Sequence, residues 1–120
     1  MKILLLTLCL LISVPTVHFP SVETAAIPDS GLCVVEFNAS FNSSNRVVWL
    51  DELSDCQGRR VDIGIHPELQ KKHKIVVVPT IIVFQDNEEV KRFQANILMQ
   101  LEATQADIQE AIDDAIMSSF

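Results

Sequence analysis

The sequence has few cysteines and no cluster of positive charge, and each shortage excludes a class of function. It contains three cysteines and no CxxC spacing, so the usual dithiol redox motif and a multi-disulfide scaffold are both absent. Its formal net charge is −7, and the basic residues are interleaved with acids. We therefore expect no binding to nucleic acid or to an anionic membrane surface.

Long apolar runs are also missing, apart from one near the N-terminus. Residues 3–14 (ILLLTLCLLISV) are too few to span a bilayer comfortably, but they suit a signal peptide, and the small-residue stretch ending at Ala26 suits cleavage. We predict a signal peptide over residues 1–26, one domain over residues 27–120, and export to the periplasm or outside the cell. A buried helix or a retained anchor are the alternatives, and membrane contact is expected only through this segment if it stays uncleaved.

The rest of the chain alternates strand and helix patterns. Strands are predicted at residues 32–37, 60–65, 80–84 and 89–93, from short apolar or alternating runs. Helices are predicted at residues 43–56, 67–74 and from Thr104 onward. Asp86 and Asn87 predict a hairpin turn, and Thr104 with Asp107 matches a capping pair. In the first helix, Val47, Leu50 and Leu53 would share an apolar face, and Gln57-Gly58 would end it.

The order β-α-β-α-β-β-α predicts an α/β domain. Its early alternation implies βαβ crossovers and a parallel part of the sheet, and the closing hairpin adds an antiparallel edge. Helices are expected on both faces of this central mixed sheet. Repeats and low-complexity segments are absent from the sequence.

Three stretches within this order carry a resemblance to a known family. They are CVVEFNAS (33–40), VDIGIHPEL (61–69) and KIVVVPTIIVFQDNEEV (74–90), followed by the last helix. Together they resemble the thioredoxin superfamily, and the chain looks most like exported thioredoxin-like proteins without the CxxC motif. The resemblance implies a thioredoxin-like fold, with the N-terminal β-α unit reduced or missing.

The resemblance matches the two cysteine positions of the family to Asn42 and Asn45. An amide cannot become a thiolate, so no catalytic residue and no cofactor are expected at this turn. Two interpretations of the asparagines stay open. They could cap the start of a helix, or they could form a polar surface that binds a carboxylate or a backbone carbonyl.

The resemblance also implies a binding groove beside the turn. Pro79 resembles the cis-proline of the family, whose preceding residue pairs with the backbone of a bound peptide. We expect a non-catalytic module that binds an unidentified protein or extended peptide there. The candidate groove residues are Phe41, Asn42, Asn45, Val78, Pro79 and Thr80.

We expect the charged residues near the turn to be partly solvated. Glu36 falls where the family has a buried carboxylate, and we interpret it as a partly solvated strand residue or as a partner of the Asn/Ser turn. If it is buried, its pKa should rise. Arg59 and Arg60 are interpreted as part of a solvated charged surface.

The remaining cysteines and histidines leave further alternatives. Cys33 and Cys56 could form a disulfide, which would stabilise the fold by about 3 kcal/mol, or could remain free thiols. A thiol oxidoreductase using these two cysteines is the alternative function, and a structural subunit whose acidic last helix docks a neighbour is a third. His66 and His73 are interpreted as surface residues, and no metal site is expected.

Overall fold

Residues 27–120 fold around a four-stranded sheet. The structure is a computed structural model that describes these residues, and the predicted signal peptide at residues 1–26 lies outside them. The strands are β1 (Leu32–Asn38), β2 (Gln57–Asp62), β3 (Thr80–Gln85) and β4 (Glu88–Gln94). The helices are α1 (Pro67–Lys72) and α2 (Gln105–Ser118), and 3-10 turns occupy Ser40–Asn45 and Leu50–Glu52.

The sheet is mixed, with the strand order β2-β1-β3-β4. β1 lies parallel to β2 and antiparallel to β3, and β3 forms an antiparallel hairpin with β4. The predicted α/β fold is therefore confirmed. Of the expected crossovers, only the first joins parallel neighbours, because β3 pairs with β1 and runs opposite to it.

The α-helix predicted over residues 43–56 is wrong. The chain makes two 3-10 turns instead, separated by residues 46–49, of which Arg46 is extended (φ −61°, ψ 148°). Asn42 also departs from helical geometry within the first turn (φ −110°, ψ 18°). The segment contains three Ser, two Val and one Asn, which are poor helix formers.

Side chains from the sheet take the backbone groups that an α-helix would have paired. The N–H of Val47 donates to the carboxylate of Glu36 over 2.7 Å, and its C=O accepts from the Arg60 guanidinium over 2.7 Å. Val47, Leu50 and Leu53 are nevertheless all buried in one core, as the predicted apolar face required.

The second strand begins earlier than predicted. Gln57 and Gly58 were expected to end a helix, but they are the first residues of β2. The left-handed backbone expected at this helix end belongs to Asp55, whose φ is 65°. The short second helix is present as α1, although it ends at Lys72 rather than at residue 74.

The predicted hairpin turn and the predicted start of the last helix are both confirmed. Asp86 and Asn87 have φ values of 51° and 66°, which suit the hairpin turn between β3 and β4. Thr104 and Asp107 form a capping box, because each side chain accepts the backbone N–H of the other residue. No helix within residues 27–120 is long and apolar enough to cross a membrane.

The sheet has a core on each face, as the prediction of helices on both faces required. The α2-side core contains Val34, Ile81 and Val83 of the sheet with Ile108 and Ile112 of α2. The α1-side core contains Val35, Phe37, Ile82 and Phe84, and the half-buried Leu69 of α1 packs against it.

His73 is half-buried against the α1-side core, so its interpretation as a surface residue is wrong. Its ring lies between those of Phe37 and Phe84, with centroid distances of 5.5 and 5.2 Å. Its Nε2 is buried and has no hydrogen-bond partner among residues 27–120. Because α1 already ends at Lys72, the next residue, His73, lies against the sheet.

The environment of His73 opposes protonation. Burial lowers its pKa from the ordinary value of 6.5, and the nearby cations Lys72 and Arg92 lower it further, against a smaller opposing effect of Glu89. The unfolded chain therefore binds this proton more readily than the folded chain. Below about pH 6.5, the stability of the fold should fall as the pH falls.

We predict that His73→Leu reduces this loss of stability between about pH 7 and pH 5. The free energy of unfolding, measured by urea titration at each pH, should depend less on pH in the variant. Gln70→Leu is the matched control, because it also introduces a leucine on the α1 side but removes no titratable group, so the dependence should stay unchanged. An unchanged dependence in His73→Leu would contradict the prediction.

Candidate functional site

The buried side chain of Asn42 joins three segments at one end of the sheet. The side chain belongs to the turn after β1, and the residue is only 2% exposed. Its amide nitrogen lies 3.1 Å from Asn38 Oδ1, 3.3 Å from the Val78 carbonyl oxygen and 3.1 Å from the Met99 carbonyl oxygen. Its amide oxygen accepts from the Asn45 side chain over 2.8 Å. Both ends of the amide are therefore engaged within the fold.

This arrangement differs from both interpretations of the asparagines. The capping role is wrong, because Ala39 occupies the N-cap position and no side chain caps the turn. The amide of Asn42 faces the interior and offers no exposed polar group of its own. Asn45 is half-buried, and Phe41 is 76% exposed.

The loop before β3 contributes buried residues to the same end of the sheet. Val78, Pro79 and Thr80 are buried, and the Val78–Pro79 peptide bond is cis. The hydroxyl of Thr80 donates to the Val77 carbonyl over 2.7 Å, and the Pro79 carbonyl accepts from the Ala95 N–H over 3.0 Å. The predicted groove residues are thus close in space, but Phe41 supplies most of their exposed surface.

A loop that the sequence reasoning missed lies against this turn. Ile97, Leu98 and Met99 are 98%, 67% and 39% exposed, although all three are apolar. Asn96 orders the loop, because its side-chain oxygen accepts the N–H groups of Leu98 (2.9 Å) and Gln100 (3.2 Å). The sequence signal was available: an apolar triplet directly after an asparagine, outside any predicted helix or strand. Phe41 and these three apolar residues together are called the Phe41 surface.

Behind the turn, Glu36 is a buried carboxyl group. It is 2% exposed, forms an ion pair with Arg60 and accepts the Val47 N–H over 2.7 Å. Burial raises the pKa of Glu36 above its ordinary range, against the opposing effects of the Val47 N–H and Arg60. The predicted rise is confirmed. The interpretations of Glu36 as partly solvated and of Arg60 as a free surface charge are wrong, because each satisfies the other inside the fold.

Solved structures of other proteins have the same architecture. A thioredoxin from Schistosoma mansoni is 23% identical over 72% of this chain and 78% of its own, with a TM-score of 0.57. A thioredoxin from Fasciola hepatica is 25% identical over 72% of this chain and 83% of its own, with a TM-score of 0.54. A mutant thioredoxin from Halobacterium salinarum is 20% identical over 72% and 75%, with a TM-score of 0.56.

The chain has a thioredoxin fold. Neither the protein-family models nor the curated proteins match it, so the fold is what these comparisons support.

Within the thioredoxin fold, the two cysteines lie away from the turn that carries the Phe41 surface. Both are free thiols. Cys33 is part of the α1-side core, whereas Cys56 packs against the α2-side core. The structure therefore does not contain the disulfide alternative, although Cys56 directly precedes Gln57, the β2 residue that pairs with Cys33.

Burial raises the pKa of the Cys33 and Cys56 thiols to about 11 each. Arg59 opposes the shift at Cys33, whereas Cys33 itself and Asp55 add to the shift at Cys56. Residues 27–120 contain no group of three or more His, Cys, Asp or Glu side chains that could hold a metal ion.

We predict that Arg60→Met lowers the free energy of unfolding by about 3–5 kcal/mol near neutral pH, because Glu36 would stay buried without its cation. The loss should shrink as the pH falls and the carboxyl group becomes protonated. Adding Glu36→Gln to Arg60→Met should recover part of it. Urea unfolding of the single and double variants measures each effect.

Arg59→Met provides the control for this experiment. Arg59 lies on the same strand, and its guanidinium donates to the Gly58 carbonyl and to the Gln57 side chain rather than to a carboxylate. A loss in Arg59→Met as large as in Arg60→Met would contradict the role of the Glu36–Arg60 ion pair.

Proposed function

We propose that the chain is a non-catalytic thioredoxin-fold module that binds a protein or an extended peptide at the turn after β1. Phe41 and the loop before β3 define the site. No thiolate chemistry is assigned to it, because the turn contains asparagines where the resemblance places the family cysteines.

The observation that carries the proposal is the complete internal use of the Asn42 amide. A side chain that bonds to Asn38, Val78, Met99 and Asn45 fixes the turn and leaves its amide no group free for a reaction. A rigid site loses less conformational entropy on binding, which favours a docking role.

The Phe41 surface gives this rigid turn an apolar face. Phe41 is 76% exposed and Ile97 is 98% exposed, and the bond from Asn42 to the Met99 carbonyl holds the two loops together. Exposed apolar patches commonly mark sites of protein interaction. Backbone groups of the bound chain would supply the polar part of the contact.

The alternative function, thiol–disulfide exchange by Cys33 and Cys56, has less support. The attacking species is the thiolate, and a thiol pKa of about 11 leaves little of it near neutral pH. Cys33 is also 1% exposed, which restricts access by a substrate disulfide.

We also propose that the module acts after export, as the apolar run at residues 3–14 and the small-residue stretch ending at Ala26 indicate. N-terminal sequencing of the protein recovered from the exported fraction tests this. A mature chain that starts at Ile27 is expected in that fraction, and a chain found only in the cytosol would overturn the proposal.

We predict that Phe41→Ser weakens binding by about tenfold, because a central aromatic anchor commonly contributes more than 1 kcal/mol. Peptides selected from a random library on the full chain serve as probes, and fluorescence anisotropy gives their Kd. The fold should persist, since the side chain is mostly exposed.

Phe120→Ser is the matched control, because Phe120 is fully exposed at the C-terminus and lies outside the site. Amide chemical shifts should change around residues 41–45, 78–80 and 97–99. Unaltered binding by Phe41→Ser, or shift changes that cluster elsewhere, would reject the site.

A further inference from the structure

A groove runs between the edge strand β4 and the helix α2, on a different part of the molecule from the Phe41 surface. Its volume is about 560 Å³. Its floor is apolar and consists of Val90 and Phe93 from β4 with Ala111 and Ala115 from α2. Val90 is 45% exposed, so part of this floor is open to solvent.

The helix side of the groove is a wall of carboxylates. Asp107, Glu110 and Asp114 line it, and their spacing of three and four residues places them on one helix face. None of the three is in an ion pair among residues 27–120. The sequence has no basic residue after Arg92, so α2 contains no cation that could neutralise these carboxylates. Lys91, the cation on the strand side, lies over the Phe93 ring, 5.8 Å from its centroid.

The strand side of the groove is an open sheet edge. β4 is the last strand in the order, and no strand within residues 27–120 pairs with its outer side. The register between β3 and β4 shifts between Val83 and Phe84, so Val90 is left without a paired residue in β3. An open edge of this kind has unpaired backbone N–H and C=O groups that can bind another extended chain.

We propose that the β4–α2 groove binds an extended, lysine- or arginine-rich segment of a partner protein. The segment adds to the edge of β4 as a further strand. Its basic side chains point towards α2, where their aliphatic stems cover the floor at Val90 and Phe93 and their charged ends reach the carboxylates. This surface is separate from the site of the proposed function and does not depend on it.

The dimensions of the wall fit such a strand. From residue 107 to residue 114 the helix rises about 10.5 Å. Side chains on the same face of a strand lie about 6.7 Å apart. The wall therefore matches two basic side chains at alternate positions of the strand.

The charge of the protein favours a basic partner over a second copy. Each chain has a formal net charge of −7, so two copies repel one another as their acidic helices approach. The charged side chains and the register shift on β4 are also features that oppose the pairing of two identical edges.

A peptide of alternating lysine and threonine, labelled for fluorescence anisotropy, tests the proposal against the full chain. We predict binding at low salt that weakens as salt is added. The double variant Glu110→Gln/Asp114→Asn should raise the Kd about fivefold or more, because it removes two exposed charge contacts. Amide shifts should change along β4 and α2.

The control variant is Asp113→Asn/Glu102→Gln, which removes two negative charges outside the groove. Its Kd should stay close to that of the parent chain. An equal loss in this control would show attraction by net charge alone and would overturn the proposal. Equal binding of an alternating glutamate–threonine peptide, shift changes confined to residues 41–45, or no binding at all would also overturn it. So would dimers of the chain that form through β4.

Discussion

The buried ion pair between Glu36 and Arg60 is the interaction on which one end of the molecule depends. A carboxylate at the centre of a sheet is costly unless it is paired and hydrogen-bonded. Here Arg60 comes from the neighbouring parallel strand, and the backbone N–H of Val47 supplies a second partner. The same guanidinium binds the Val47 carbonyl. The ion pair therefore neutralises the buried charge and also holds the backbone at Val47 in place.

This constraint explains why the segment after β1 is not an α-helix although its apolar residues are spaced for one. Its backbone is bound to side chains of the sheet, while Leu50 and Leu53 still reach the α2-side core. The turn that precedes them is closed by the Asn42 amide. The apolar surface beside this turn and the open edge of β4 are the two contact sites that we propose.

The sequence predicted the fold wherever a pattern was local. Short apolar runs marked β1 and β3, Asp86-Asn87 marked the hairpin, and Thr104 with Asp107 marked the start of α2. The errors fell where distant groups decide: the partners of Val47 lie 11 and 13 residues away along the chain. Only part of the Phe41 surface was predicted from the sequence. Phe41 was among the candidate groove residues, whereas residues 97–99 belong to a distant loop that comes next to the turn only once the sheet has formed.

The hydrogen bonds of Asn42 also have a consequence for the rate of folding. They join residues that are 36 and 57 positions apart in sequence, so forming them brings together distant parts of the chain. Loop closure over such separations loses more entropy than local turns do, and contacts of this kind slow folding. A chain still emerging from the ribosome cannot complete the Phe41 surface until residue 99 has been made.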